Sequence, residues 1–168
     1  MTGRFSPPRV LAWLVLLGLA GCAGYAVREG GEALRLSEVR PADPVQRASI
    51  GLCLDGLAAD AEGRRSSALN HYSRAIQIDP NNPYAYLALA RHEVEAGDAR
   101  RALEYLDLAE SLLASADLLS PRVEPHLDGL RGAALEASGR NGSVELGRAE
   151  RAAPGVWGDG RLSAQELR

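Results

Sequence analysis

Residues 56–75 read GLAADAEGRRSSALNHYSRA, and residues 90–109 read ARHEVEAGDARRALEYLDLA. Laid over one another at an offset of 34, five positions keep their character: Gly56/Ala90, Gly63/Gly97, Ala68/Ala102, Tyr72/Leu106 and Ala75/Ala109. The order is small, glycine, small, large apolar, small, and each step has a physical reading. A glycine at 63 and 97 suits a left-handed residue that ends one helix and lets the chain reverse. Small residues at 68, 75, 102 and 109 let a second helix lie close against the first. Tyr72 and Leu106, at helical spacing from those alanines, fill the space that remains.

Between the two units stands Asp79-Pro80-Asn81-Asn82-Pro83. Asn82 is placed to cap a helix and Pro83 to be its first residue, both favourable positions for those side chains. A third, degraded unit follows, in which Gly132 and Gly139 repeat the seven-residue spacing. They come 42 residues after the second pair, so eight residues are inserted around 117–125. The second helix of this unit is expected from about Ser143 to Ala152, with Leu146 and Ala149 facing inward and Pro154 beyond its end. Terminal units of stacked repeats are often atypical because one face has no neighbour.

A 34-residue helix–turn–helix with this pattern and this linker resembles the tetratricopeptide repeat, with the match running from about residue 50 to 116. The usual tryptophan near the start of each unit is Leu52 in one and Tyr86 in the other. The usual late aromatic is Ala59 and Glu93. The resemblance implies an all-α fold, a short solenoid of six main helices, whose first helices line a concave groove for a peptide or helix from a partner. Carried over by the offset, the groove positions are Leu57, Asp60, Tyr84, Leu87, Arg91 and Glu95, together with Ile50 and Cys53, and the third unit adds His126 and Glu136. The basic and amide residues of the family's carboxylate clamp are missing, since Cys53, Leu57, Leu87 and Arg91 stand there. A partner's terminal carboxylate is therefore not the expected ligand.

Ahead of the repeats, residues 1–9 are polar and basic, and residues 10–20 form an apolar run of 11. A helix needs about 20 apolar residues to span a bilayer, so this run reads as a secretory signal. Its exit, Leu19-Ala20-Gly21-Cys22, resembles the lipobox of bacterial lipoproteins. There the cysteine is acylated and the chain is cleaved before it. The resulting division is 1–21 signal peptide, 22–45 lipidated tether, 46–154 repeat domain and 155–168 C-terminal tail. Two or more acyl chains on Cys22 give stable anchoring. Ala23, in place of an aspartate, favours the outer membrane over the inner, facing the periplasm.

Removing the leader takes the formal charge from −3 to −5, because the leader carries two arginines and no acid. An acidic surface argues against nucleic acid as a partner. All 19 basic residues are arginine, which suits a GC-rich genome and marks no single arginine as special. With Cys22 used for lipid, only Cys53 is left, so no internal disulfide is available; a lone helical cysteine reads as a small core residue. His71, His92 and His126 have no ligand or nucleophile partners at useful spacing and read as exposed or half-buried helix residues. His92-Glu93 begins a zincin-like motif, but Ala96 stands where its second histidine belongs. Residues 159–166 resemble the second half of an EF-hand loop, yet Gly155 and Trp157 hold the places of its first carboxylates. A capping box from Ser163 to Glu166 accounts for the same residues. The sequence thus points to a non-enzymatic, membrane-anchored adaptor or assembly factor for envelope proteins, with no cofactor. The alternatives are a self-associating structural subunit and a calcium-responsive module.

Overall fold

In the computed structural model, residues 32–168 are described, and all of their regular elements are helical. Six main helices form three hairpins: α1 (Pro44–Ala61) with α2 (Arg65–Ile78), α3 (Pro83–Ala96) with α4 (Ala99–Ser115), and α5 (Glu124–Ala137) with α6 (Ser143–Ala152). Two single turns follow, α7 (Pro154–Trp157) and α8 (Ala164–Leu167), and one 3₁₀ turn, Leu36–Glu38, precedes α1. The architecture is the expected short helical-hairpin solenoid.

Local chemistry sets the helix ends. The Asp43 side chain accepts from the Gln46 amide at 2.8 Å, with Pro44 opening α1. Asn82 accepts from the Tyr84 amide at 3.0 Å ahead of Pro83, and Asp98 accepts from the Arg101 amide at 3.0 Å. Each cap satisfies an amide that the first turn leaves open. At the reversals Gly63, Gly97 and Gly139 take φ of 73°, 84° and 74°, the left-handed region that glycine enters without cost.

Close approach holds each hairpin together. A Cβ on Gly56 would lie 2.3 Å from the Tyr72 ring, so Gly56 is the notch into which that ring fits. In the third hairpin the contact is backbone to backbone: a Cβ on Gly142 would lie 2.1 Å from the Gly132 carbonyl oxygen. Ala68, Tyr72, Ala75, Ala102, Leu106, Ala109 and Ala149 are all fully buried. Between hairpins, α1 packs on α3 and α3 on α5, in addition to the α2/α3 and α4/α5 contacts. The first helices therefore form the inner, concave side of the stack. Central α3 is enclosed almost all round, with every residue from Pro83 to Glu93 buried.

Two segments outside the hairpins differ from the sequence reading. Residues 22–45 were expected to be a tether, but from residue 33 the chain is seated on the domain. Ala33 and Leu36 are buried; the Leu34 amide donates to the Arg122 carbonyl at 2.9 Å, and Arg122 forms an ion pair with Glu38. Helix α1 also begins two residues before the expected boundary. Residues 155–168 were expected to be a tail, yet Trp157, Leu162, Ala164 and Leu167 are all buried. A short helical stretch at residues 32–39 and a lone tryptophan at 157 were the sequence's signs of this packing, and isolated apolar residues such as Leu36 and Leu162 carry no periodic face to reveal more. The leader, Cys22 and the rest of the tether up to residue 31 lie outside the described residues.

Candidate partner-binding face

The concave side is built from α1, α3 and α5, and the chain covers much of it with its own ends. After α6, the chain turns through α7, and the Trp157 ring enters a notch on α5 where a Cβ on Gly129 would lie 2.4 Å away. It then runs through Gly160 (φ 73°) and ends in α8, which packs on α1. The Leu162 carbonyl accepts from Arg91 Nη1 at 3.5 Å, and the Arg168 carbonyl accepts from the Ser37 amide at 2.9 Å. The capping box forms as expected: Ser163 N donates to Glu166 Oε2 at 2.8 Å, and Glu166 N donates to Ser163 Oγ at 3.2 Å. Asp159 Oδ1 accepts from the Arg161 amide, so both carboxylates of the EF-hand-like stretch serve local turns. Among the described residues, no cluster of His, Cys, Asp and Glu is arranged to hold a metal ion.

The six groove positions from Leu57 to Glu95 lie in different surroundings. Leu57 and Leu87 are fully buried, and Tyr84 is nearly so. Asp60 and Arg91 are buried as an ion pair, Arg91 Nη2 to Asp60 Oδ2 at 2.6 Å. Only Glu95 is exposed, its Oε2 2.9 Å from Arg91 Nη1. Ile50, Cys53 and His126 are buried, while Glu136 is exposed and accepts from the Gly142 amide at 2.8 Å. Cys53 is the expected core residue; burial, with Asp79 nearby, pushes its thiol up to about 12.

Asp60 is the electrostatic centre of the first two hairpins. It accepts from Tyr72 Oη at 2.9 Å and Arg91 Nη2 at 2.6 Å, and it lies 2.9 Å from His92 Nδ1. Burial alone would raise its carboxyl pKa; hydrogen bonds from His92 and Arg91 outweigh that and hold it below the usual range. Burial and the Asp60 charge push the Tyr72 phenol up. A buried charge is tolerated only when it is paired and hydrogen-bonded, and here three donors from α2 and α3 converge on one carboxylate of α1. His92 was expected to be exposed or half-buried; it is instead buried as one of those donors. The sequence held one clue, an aspartate and an arginine projected onto one face among Leu57, Tyr84 and Leu87. A second polar chain runs beside it, Asn82 Nδ2 to Ser49 Oγ at 2.8 Å and Ser49 Oγ to the Ala75 carbonyl at 2.9 Å.

His126 has also left its expected half-exposed place. It is fully buried on α5, with Nε2 donating to the Leu34 carbonyl at 2.8 Å, the Trp157 ring 6.4 Å away and Glu166 in electrostatic reach. Burial lowers its pKa against the opposing effects of Leu34 and Glu166. It is the point where the N-terminal segment, α5 and the C-terminal segment meet.

The covering segment does not fill the concave side. A cleft of about 760 Å³ remains, lined by Arg91, Val94 and Glu95 of α3, by Ala133 and Glu136 of α5, and by residues 159–166 on the far wall.

An all-helical stack of hairpins, with its first helices on the inside and a cleft there, has the architecture of a helical-repeat domain. Residues 61–121 match the family described as tetratricopeptide repeat, which takes in α2, α3, α4 and the start of the insertion. That match supports a tetratricopeptide-repeat protein, and it overlaps the two units legible in the sequence. No curated protein and no solved structure matches the chain.

Proposed function

We propose that this chain is a lipid-anchored adaptor or assembly factor of the bacterial cell envelope, facing the periplasm, that holds a segment of another envelope protein on its concave side. The observation carrying the reading is the open cleft between α3, α5 and residues 159–166, on the side that this repeat type uses for partners. Confinement at the membrane through Cys22 raises the effective concentration toward other envelope components without new contacts. Repeat domains of this kind are generally non-enzymatic scaffolds, in keeping with a role in binding. The lipobox-like Leu19-Ala20-Gly21-Cys22 supports the anchor, and the absence of aspartate at Ala23 favours the outer membrane.

Two measurements test the two halves. Labelled palmitate should enter the wild-type protein and not Cys22→Ser, which should accumulate as the uncleaved precursor; equal labelling would end the anchor reading. A photo-crosslinking residue at Ala137, on the cleft lining, should capture another envelope protein in cells, and the same residue at Val144 on α6 should not. Adding Ala133→Arg, which places a long charged side chain in the cleft, should abolish the Ala137 product. Equal products at both sites, or only crosslinked copies of the chain itself, would move the interface elsewhere or favour self-association.

A further inference from the structure

The concave helices α1 and α3 carry the C-terminal end of the chain: α8 packs on α1, and Arg91 of α3 donates to the Leu162 carbonyl. That end is seated as a ligand would be. Residues 161–165 alternate between exposed and buried and Leu167 is buried again: Leu162, Ala164 and Leu167 are buried, with Arg161, Ser163 and Gln165 exposed. One main-chain carbonyl, that of Leu162, is taken by Arg91, and a second, that of Arg168, by the Ser37 amide. The anchors fall on one side of a short extended stretch that ends in a single serine-capped helical turn.

Several features set this segment apart from the packed hairpins. The segment hangs from Gly158 and Gly160, and α7 and α8 are four residues each. A single helical turn has almost no stability of its own, so α8 persists only while its anchors are seated. The 760 Å³ cleft runs alongside residues 159–166, which leaves an approach to the seat that does not cross the packed hairpins.

We propose that residues 158–168 are an intramolecular stand-in for the partner, and that the partner is a short amphipathic peptide of the same pattern: an apolar residue, then a serine-capped helical turn presenting a small residue and a leucine. The incoming peptide displaces residues 158–168 and takes the Arg91 guanidinium and the α1 surface in their place. The inference rests on the concave-side reading above and names the chemistry of its ligand. A partner of another pattern, or one that binds the cleft without displacement, is excluded by it.

A fluorescent synthetic peptide spanning residues 156–168 is titrated into the full-length wild-type chain and into Leu162→Ser/Leu167→Ser, whose own segment has lost two anchors. Occupancy in cis reduces apparent affinity by the fraction of open molecules. The double variant should therefore bind the peptide at least about tenfold more tightly than the wild type. A peptide carrying the same two serines should bind neither. Equal affinity for both chains, or no binding by a double variant of wild-type helicity, overturns the proposal. Hydrogen exchange of the wild type decides the matter independently of whether the double variant folds. The Leu167 and Arg168 amides are hydrogen-bonded within α8, and they should exchange at least about a hundredfold faster than the core amides of α3, as a locally opening element does. Exchange in step with α3 would make the segment integral and end the proposal. If displacement fails while the Ala137 crosslink is still recovered, the adaptor reading stands without it; if the crosslink also fails, both go.

Discussion

At the scale of single residues, the design of this domain turns on Asp60. Three donors from two other helices meet its carboxylate, and its negative charge is the counter-ion of the buried Arg91. Removing one member of a buried pair leaves the other charged and unsolvated, at a cost of about 3–5 kcal/mol. Asp60→Ala should therefore lower the urea midpoint far more than Glu95→Ala, which removes only the exposed partner of the same arginine. Similar midpoints for the two would show that Arg91 finds other compensation. Acid should act at the same place: the depressed Asp60 carboxyl contributes stability above its unfolded pKa, and that contribution is lost as pH falls toward the folded value. His126 acts in a higher window. Its lowered pKa means that the unfolded chain takes up the proton first, so stability falls as pH drops through the ordinary histidine value near 6.5 toward the folded one. Urea midpoints between pH 7.5 and 5 should fall in the wild type and fall less in His126→Gln; parallel curves would place the pH dependence elsewhere. The sequence put Asp60 and Arg91 on one face but not their bond, because a 34-residue template gives positions along helices and not the partners across them.

At the scale of elements, the helices were legible because capping and close packing are written in short, local patterns. Asn82-Pro83, the three left-handed glycines and the small residues opposite Tyr72 and Leu106 each do locally what the fold requires. The third hairpin was the faintest in sequence, and its geometry explains how it holds together. Gly132 and Gly142 bring the α5 and α6 backbones into contact, so the pair needs less side-chain volume between them. Gly142→Ala would drive a methyl into the Gly132 carbonyl, where no flexible side chain can yield. Overpacking of this kind costs about 1–3 kcal/mol, and the loss should show as a lower melting temperature. Gly155→Ala meets nothing within 4 Å and should leave it unchanged. A melting temperature unmoved by Gly142→Ala would mean that the two helices can separate at little cost. The eight-residue insertion also acquires a role at this scale, since Arg122 within it donates to the Glu38 carboxylate and to the carbonyl of Glu32.

At the scale of the whole molecule, the repeats are a scaffold that the two flanking segments close, and this is the level at which the sequence was least informative. A repeat pattern reports contacts 34 residues apart; the bonds that close the concave side join residues about 90 to 130 apart, Leu34 to His126 and Ser37 to Arg168. If the chain is anchored at Cys22 as proposed, the packing of the N-terminal segment also leaves only a short tether. From Cys22 to Glu32 the chain advances ten residues, which fully extended reach no more than about 35 Å. A lipidated Cys22 would thus keep the domain close to its membrane, with the His126 corner as the point of attachment. If the flanks cover the concave side without building the hairpins, a fragment of residues 44–154 should retain most of its helicity. It should nevertheless melt at a lower temperature than the full chain and bind an apolar fluorescent dye that the full chain excludes, because Leu57, Leu87 and Leu130 would face solvent. Adding the peptide of residues 156–168 should reverse part of the dye signal. A fragment as stable as the full chain and silent to the dye would mean that the hairpins bury those leucines unaided, and the flanks would then be decoration on a groove that was never open.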